Sequence, residues 1–303
     1  MDRKECLLSL SDRAHRILEI GPSYNPVAPK AGGWRTHVVD HATREELRTK
    51  YAAANVDLEV IEEVDSLWRG GALEDAIPAA LRGSFDTLIA SHVIEHMPDL
   101  VGFLISASRL LAPTGVVSLA VPDRRYCFDY FRPQTMTGDL LEAHAARRAR
   151  HSLRTAWNHM AYAVMLDGSL AWERKPIGRP TFIDPFVAAA VTYAQYQDGE
   201  GGAYKDYHAW QFTPAGFALA ILELGQIGVI NWHVIDTHAP ETFEFFVFLG
   251  RGVTKFENPA ALQAQRLALL QQQMLETRQQ IEFAVQGGSL PPPSGFQAAL
   301  AGK

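Results

Sequence analysis

The chain is poor in cysteine, short of basic residues and without a long apolar run. Only Cys6 and Cys127 occur among 303 residues. Neither a disulfide framework nor a cysteine-based zinc site is therefore available, and a reducing compartment such as the cytosol fits. Lys and Arg number 28 against 34 Asp and Glu, which leaves a net charge of −6 and a pI near 6.0. That balance gives no support for a nucleic-acid-binding face. The strongest apolar run, Phe243 to Leu249, is interrupted by Glu244 and is far too short to span a bilayer. Met1-Asp2-Arg3-Lys4-Glu5 leads into no long apolar run, so no signal peptide is expected and the protein reads as soluble and cytoplasmic.

What is present is a core-forming chain, 47% hydrophobic, with a set of short apolar runs that end in informative residues. Arg16-Ile17-Leu18-Glu19-Ile20 ends at Gly21-Pro22-Ser23, Val38-Val39 ends at Asp40, and Phe85 to Ala90 ends at Ser91-His92. Parallel strands buried on both faces give continuous apolar runs, and an open α/β sheet binds ligands at their carboxyl ends. Glycine after a strand lets backbone approach a ligand, and a carboxylate ending the next strand can accept hydrogen bonds from both hydroxyls of a ribose. Asp40 follows Gly21 by 19 residues, a strand–loop–strand spacing suited to a ribose contact. The loop lacks the second and third glycines of the dinucleotide fingerprint, which argues against a pyrophosphate on a helix N-terminus.

Strands are expected at Arg16–Ile20, His37–Asp40, Leu58–Val64, Phe85–Ala90 and Val116–Val121, alternating with helices at Thr43–Ala54 and Asp99–Leu111. The alternation lapses from Tyr130 to His208, an insertion with a basic helical stretch at Ala145–Arg154. It resumes with the cap Thr213-Pro214, a helix ending near Gly225, and two strands, Val229–Thr237 and Phe243–Gly250. The join between those strands is too short for a crossover helix, so they must be antiparallel. A helix over Ala260–Val285 carries Leu267, Leu270, Met274, Thr277, Ile281 and Ala284 at alternating steps of three and four. That seam fits either docking on its own domain or a homodimer. Residues 287–303, with three consecutive prolines, read as a disordered tail.

These motifs together resemble the class I S-adenosylmethionine-dependent methyltransferases. The likeness rests on Leu18-Glu19-Ile20-Gly21-Pro22-Ser23, Val39-Asp40, the run from Phe85 to Asp99, and Leu110-Leu111-Ala112-Pro113-Thr114-Gly115-Val116-Val117. It implies a Rossmann-like, seven-stranded α/β fold with a mostly helical insertion and a C-terminal helix. Residues 1–129 would form the cofactor core, 130–208 the acceptor lid, 209–256 the closing helix and strand pair, and 257–286 the C-terminal helix. S-adenosylmethionine would be the cofactor. Glu19, Gly21 and Pro22 would border its methionine part, Asp40 its ribose, Asp65 its adenine edge, and Ser91 and His92 would line its pocket.

His92-Val93-Ile94-Glu95-His96 also matches the H-x-x-E-H pattern of inverted zinc peptidases. A strand running straight into it and Pro98 just after it leave no room for the helix that chemistry needs, so no metal is expected. Asp123, Arg125 and Tyr126, just past the fifth strand, and His208, at the end of the insertion, are the acceptor-pocket candidates. His208 and His96 lead as proton acceptors because imidazole titrates near neutrality. The expected activity is methyl transfer, at oxygen, to a small-molecule or glycan-like acceptor. The competing reading is a cofactor-binding protein without transferase activity that uses its last helix as an interaction module.

Overall fold

The computed structural model describes residues 2–197, 205–288 and 290. A short helix α1 (Arg3–Leu7) precedes β1 (Arg16–Ile20), β2 (Arg35–Asp40), α2 (Arg44–Tyr51), β3 (Ser66–Leu67) and β4 (Phe85–Ser91). Next come α3 (Leu100–Leu110) and β5 (Leu111–Pro122). The insertion holds α4 (Thr137–Ala145), α5 (Leu153–Tyr162), β6 (Val164–Met165), β7 (Thr181–Phe182) and α6 (Phe186–Gln197). The chain closes with α7 (Pro214–Gln226), β8 (Trp232–His238), β9 (Glu244–Arg251) and α8 (Pro259–Gln286). The main sheet has seven strands in the order β3-β2-β1-β4-β5-β9-β8. Neighbours from β3 to β5 pair in parallel, while β9 runs antiparallel to both β5 and β8.

Local chemistry sets the element ends. Asp99 caps α3 through Oδ1, which accepts from Gly102 N at 2.8 Å, and Thr213 caps α7, with Pro214 in its first turn. Leu100, Phe103, Leu104, Ala107 and Leu110 of α3 turn inward onto the sheet, the face that their spacing dictates. Trp232 is fully buried there and donates its indole N–H to Leu104 O at 2.8 Å. The other sheet face is covered by α1 and the 22–34 loop, where Cys6, Leu7, Val27 and Ala28 meet Ile17, Ile89, Ala120 and Phe248.

Two expectations need correction. Leu58–Val64 is not a strand: Leu58–Val60 forms a 3₁₀ turn capped by Asp57, and the third strand is only Ser66–Leu67. Glu59, Glu62 and Glu63 along that stretch instead bind Arg48, the Lys30 backbone and Arg44. Ala145–Arg154 is not one helix, because α4 ends at Ala145, Arg147 takes a positive φ, and Ser152 caps a new helix. Most of the 287–303 tail lies outside the described residues.

Helix α8 folds back along α7 and the end of β5. Gln280 donates to Tyr130 O at 2.9 Å, Arg266 pairs with Glu223 at 2.6 Å, and Ala284 is buried. Leu267, Met274 and Ile281 of the seam point away from this contact and are exposed.

Candidate active site

Two backbone kinks mark the carboxyl edge of the sheet. Gly21, just past β1, has φ +61°, and a Cβ there would come within 3.2 Å of Val93 Cγ2. Ser23 and His92 take φ of 48° and 54°. Such conformations are strained for residues with a side chain and tend to mark functional positions. His92 N donates to Ala120 O at 3.0 Å, which holds the kinked end of β4 beside β5.

The polar groups along this edge are already engaged. Asp40 is buried at the end of β2; its Oδ2 accepts from Ser23 N at 3.2 Å, and its Oδ1 lies 2.6 Å from His41 Nδ1. The Glu19 side chain turns into the 22–28 loop, accepting from Val27 N at 2.6 Å and Ala28 N at 3.1 Å. Burial outweighs those two bonds and raises its pKa to about 7. Ser91 Oγ contacts the Arg3 guanidinium, and Arg3 Nε donates to Glu244 Oε1 at 2.8 Å. His92 Nε2 lies 2.8 Å from Glu244 Oε2.

A second cluster assembles beyond β4. Residues Ile94–His96 form a 3₁₀ turn, and Glu95 O accepts from Ala209 N at 2.6 Å and Trp210 N at 3.3 Å. Trp210 also donates its indole N–H to Met97 O at 2.6 Å. These bonds seat the end of the insertion on the turn and bring His208 to His96, with ring centroids 4.6 Å apart. His208 Nδ1 lies 2.6 Å from Asp129 Oδ2, while Arg132 holds Asp129 Oδ1 at 2.7 Å and His208 O at 2.7 Å. Although burial opposes ionisation of Asp129, His208 and Arg132 outweigh it and hold that carboxyl below its usual range. Burial pushes His96 down, but the carboxylates of Asp206, Glu95 and Asp129 leave its pKa above the ordinary value. Burial, with the charges of Arg132 and His208, lowers His159 to about 4, so it stays neutral.

The family model for a methyltransferase domain matches residues 2–166, more than half of the chain. The chain belongs to the methyltransferases. Its cofactor is S-adenosylmethionine. No curated protein matches the sequence. Among solved structures, a protein from Rhodobacter sphaeroides provisionally described as a zinc-dependent alcohol dehydrogenase is 15% identical, covers 83% of this chain and 90% of its own, and has a TM-score of 0.44. The CcbJ methyltransferase of Streptomyces caelestis is also 15% identical, with 83% and 89% covered and a TM-score of 0.43. A Burkholderia thailandensis 1,6-didemethyltoxoflavin N1-methyltransferase is 10% identical, with 83% and 76% covered and a TM-score of 0.41. At such scores these likenesses carry no argument for this chain.

The cradle at the β1–β2–β4 edge suits a close-approaching cofactor in one respect: a Cβ at Gly21 would come within 3.2 Å of Val93 Cγ2, while Asp40, one strand away, is buried with its oxygens on Ser23 and His41. The Glu19 carboxylate, expected beside the methionine part of the cofactor, accepts from the loop backbone and so shapes the loop that Gly21 and Pro22 begin. Asp65, expected at the adenine edge, precedes β3 and accepts from Val38 N at 2.7 Å and from Lys30 Nζ at 2.6 Å.

Asp123, Arg125 and Tyr126, expected at the acceptor pocket, are engaged with one another and with α8. Asp123 is wholly buried and grips Arg125 through Nε at 2.8 Å and Nη2 at 2.6 Å, with Arg174 at 3.2 Å. Arg125 Nη1 then donates to Glu276 O at 3.1 Å, and Tyr126 OH to Gln279 Oε1 at 3.0 Å. These three clamp α8 to the end of β5 rather than face His208. Sequence reasoning passed over Glu95 and the pair Arg3 and Glu244. The Arg3–Glu244 partnership spans 241 residues and has no local signal, whereas Glu95 stood inside a recognised motif.

Proposed function

We propose that this methyltransferase transfers the methyl group to a hydroxyl oxygen of a small-molecule or glycan-like acceptor bound beneath residues 130–208. The observation that carries the reading is the Asp129–His208 pair, 2.6 Å apart and nearly excluded from solvent. An N–H from Nδ1 donated to Asp129 leaves the Nε2 lone pair able to take a proton from an acceptor hydroxyl. His96, at the edge of the same cluster, is the alternative acceptor. When bound, S-adenosylmethionine supplies a methyl group already activated by its sulfonium charge. The chain's task is then to align the acceptor oxygen, exclude water and remove one proton. Phe128, whose ring centroid lies 4.4 Å from that of His208, and Tyr207 with His159 at 4.9 Å supply the apolar walls.

The net charge of −6 favours a small acceptor over a nucleic acid. No helix among the described residues is long and apolar enough to cross a membrane, and we place the reaction in the cytoplasm. The exposed Leu267, Met274 and Ile281 of α8 support a homodimer. The test is release of S-adenosylhomocysteine with a panel of polyhydroxylated acceptors, the product being identified by mass and site of methylation. Acceptor-independent release alone, or methylation only at nitrogen, sinks the reading.

A further inference from the structure

Glu95 is only 1% exposed, and neither of its carboxylate oxygens has a hydrogen-bond partner among the described residues. A buried carboxylate left so is costly unless a cation balances it. His96 Nε2 lies 3.8 Å from Glu95 Oε1, and His208 Nε2 lies 3.9 Å from the same oxygen. The ligand atoms of the three residues all lie within 4.8 Å of one another, and no other such group occurs among the described residues.

The outer nitrogen of each ring lies beside a carboxylate. His96 Nδ1 lies 2.9 Å from Asp206 Oδ1, and His208 Nδ1 lies 2.6 Å from Asp129 Oδ2. With the Nδ1–H of His208 turned outward to Asp129, its Nε2 presents a lone pair toward Glu95, and His96 Nε2 lies on the same carboxylate oxygen. Metal-bound histidines are held in this way: the carboxylate sets the tautomer, fixes the ring and raises the basicity of the ligating nitrogen. His92 repeats the arrangement on the rim, with Nε2 on Glu244 at 2.8 Å and Nδ1 3.7 Å from Glu95 Oε1.

We infer that Glu95, His96 and His208 form a binding site for one divalent first-row transition-metal ion of borderline softness, such as zinc. Two imidazole nitrogens and one carboxylate match that class, whereas magnesium and calcium prefer oxygen donors. An ion about 2.1 Å from each donor in tetrahedral geometry separates them by about 3.4 Å, so the two Glu95–histidine distances of 3.8 and 3.9 Å would each shorten by about half an ångström, within a group that now spans no more than 4.8 Å. The helix that the zinc-peptidase pattern needs is absent here, since His92 directly follows β4 and Ile94–His96 is a single 3₁₀ turn. The expectation of no metal did not weigh a third donor from the far end of the insertion. The inference stands on donor geometry and is read by binding, so its failure leaves the methyl-transfer reading untouched, and the reverse holds too. An ion and a proton compete for the same Nε2 lone pair of His208.

The test uses the full chain stripped by a chelator, then dialysed against zinc or cobalt(II) chloride with elemental analysis, and against magnesium chloride as the contrast. One zinc per chain is expected, visible ligand-field absorption should appear with cobalt, and millimolar magnesium should not displace either ion. Glu95→Gln and His208→Gln should abolish stoichiometric uptake, and Asp129→Asn should weaken it by about 10- to 100-fold, the usual effect of losing an orienting carboxylate. Circular dichroism checks that each variant is folded. If one is not, the zinc-induced rise in melting temperature is compared between wild type and His96→Gln, with a rise expected only in wild type. Substoichiometric uptake by wild type, or uptake and melting shifts unchanged in the variants, overturns the site.

Discussion

His208 Nδ1 lies 2.6 Å from Asp129 Oδ2, although the two residues are 79 positions apart and bracket almost the whole insertion. The pair ties the insertion's exit to its entrance, so one contact both anchors the insertion and orients the ring. His208→Ala is expected to cut turnover by about 10²–10⁴-fold, the range for loss of a general base, with cofactor affinity nearly unchanged. Asp129→Asn should reduce turnover by a smaller factor, because Nε2 survives but its tautomer is no longer enforced. Steady-state kinetics beside calorimetry with S-adenosylhomocysteine checks both; turnover within a few-fold of wild type would remove His208 from the reaction.

Asp40→Ala is expected to weaken binding of S-adenosylhomocysteine by about 2–4 kcal/mol, or about 30- to 800-fold, because two bonds to a charged acceptor are lost. The side chain also holds Ser23 N, so thermal melts must accompany the calorimetry. Equal affinity in the folded variant would move the ribose elsewhere.

The clamp at Asp123 predicts a stability defect without a binding defect. Asp123→Asn leaves the buried Arg125 guanidinium without its counter-charge, a change that costs about 3–5 kcal/mol in such sites. A lower urea midpoint with unchanged cofactor affinity is the expected pair of results. An unaltered midpoint with lost turnover would return Asp123 to the acceptor pocket.

Glu19 gives the fold a pH dependence of known sign. Burial raises its pKa from 4.5 to about 7, so between those values the folded chain holds a proton that the unfolded chain has released. Its contribution is fully present below the lower value and declines as pH rises through about 7. Glu19→Gln should therefore gain stability relative to wild type from pH 5 to pH 8, measured as the difference in urea midpoint. A pH-independent difference would show that the carboxylate is charged throughout, stabilised by the Val27 and Ala28 amides.

Self-association is tested without removing α8, because the helix is part of the fold. Leu267, Met274 and Ile281 are exposed, whereas Gln280 and Ala284 are buried against the domain. Replacing the three exposed residues by serine should halve the mass in light scattering while the melting temperature holds. A monomeric wild type would end the homodimer reading.

The sequence by itself determined most of the sheet and the polar residues at its carboxyl edge. Continuous apolar runs, a glycine and a carboxylate at consecutive strand ends, and the short turn between β8 and β9 are local signals, and each follows from backbone geometry within a few residues. The brief β3 escaped because only two residues pair, too few to impose a pattern on the sequence. The order of α8's faces was likewise illegible: a seam at steps of three and four suits a partner chain as well as α7, and buried contacts by Gln280 and Glu276 decided between the faces. Only the tertiary structure could separate Asp123, Arg125 and Tyr126 from Asp129, all of which leave β5 within a few residues. The chain turns sharply there, so one set faces α8 and the other faces His208. The meeting of Glu95, His96 and His208 was decided in the same way, because a donor set depends on distance in space, and the third donor arrives only after an insertion has folded back onto the turn that carries the first two.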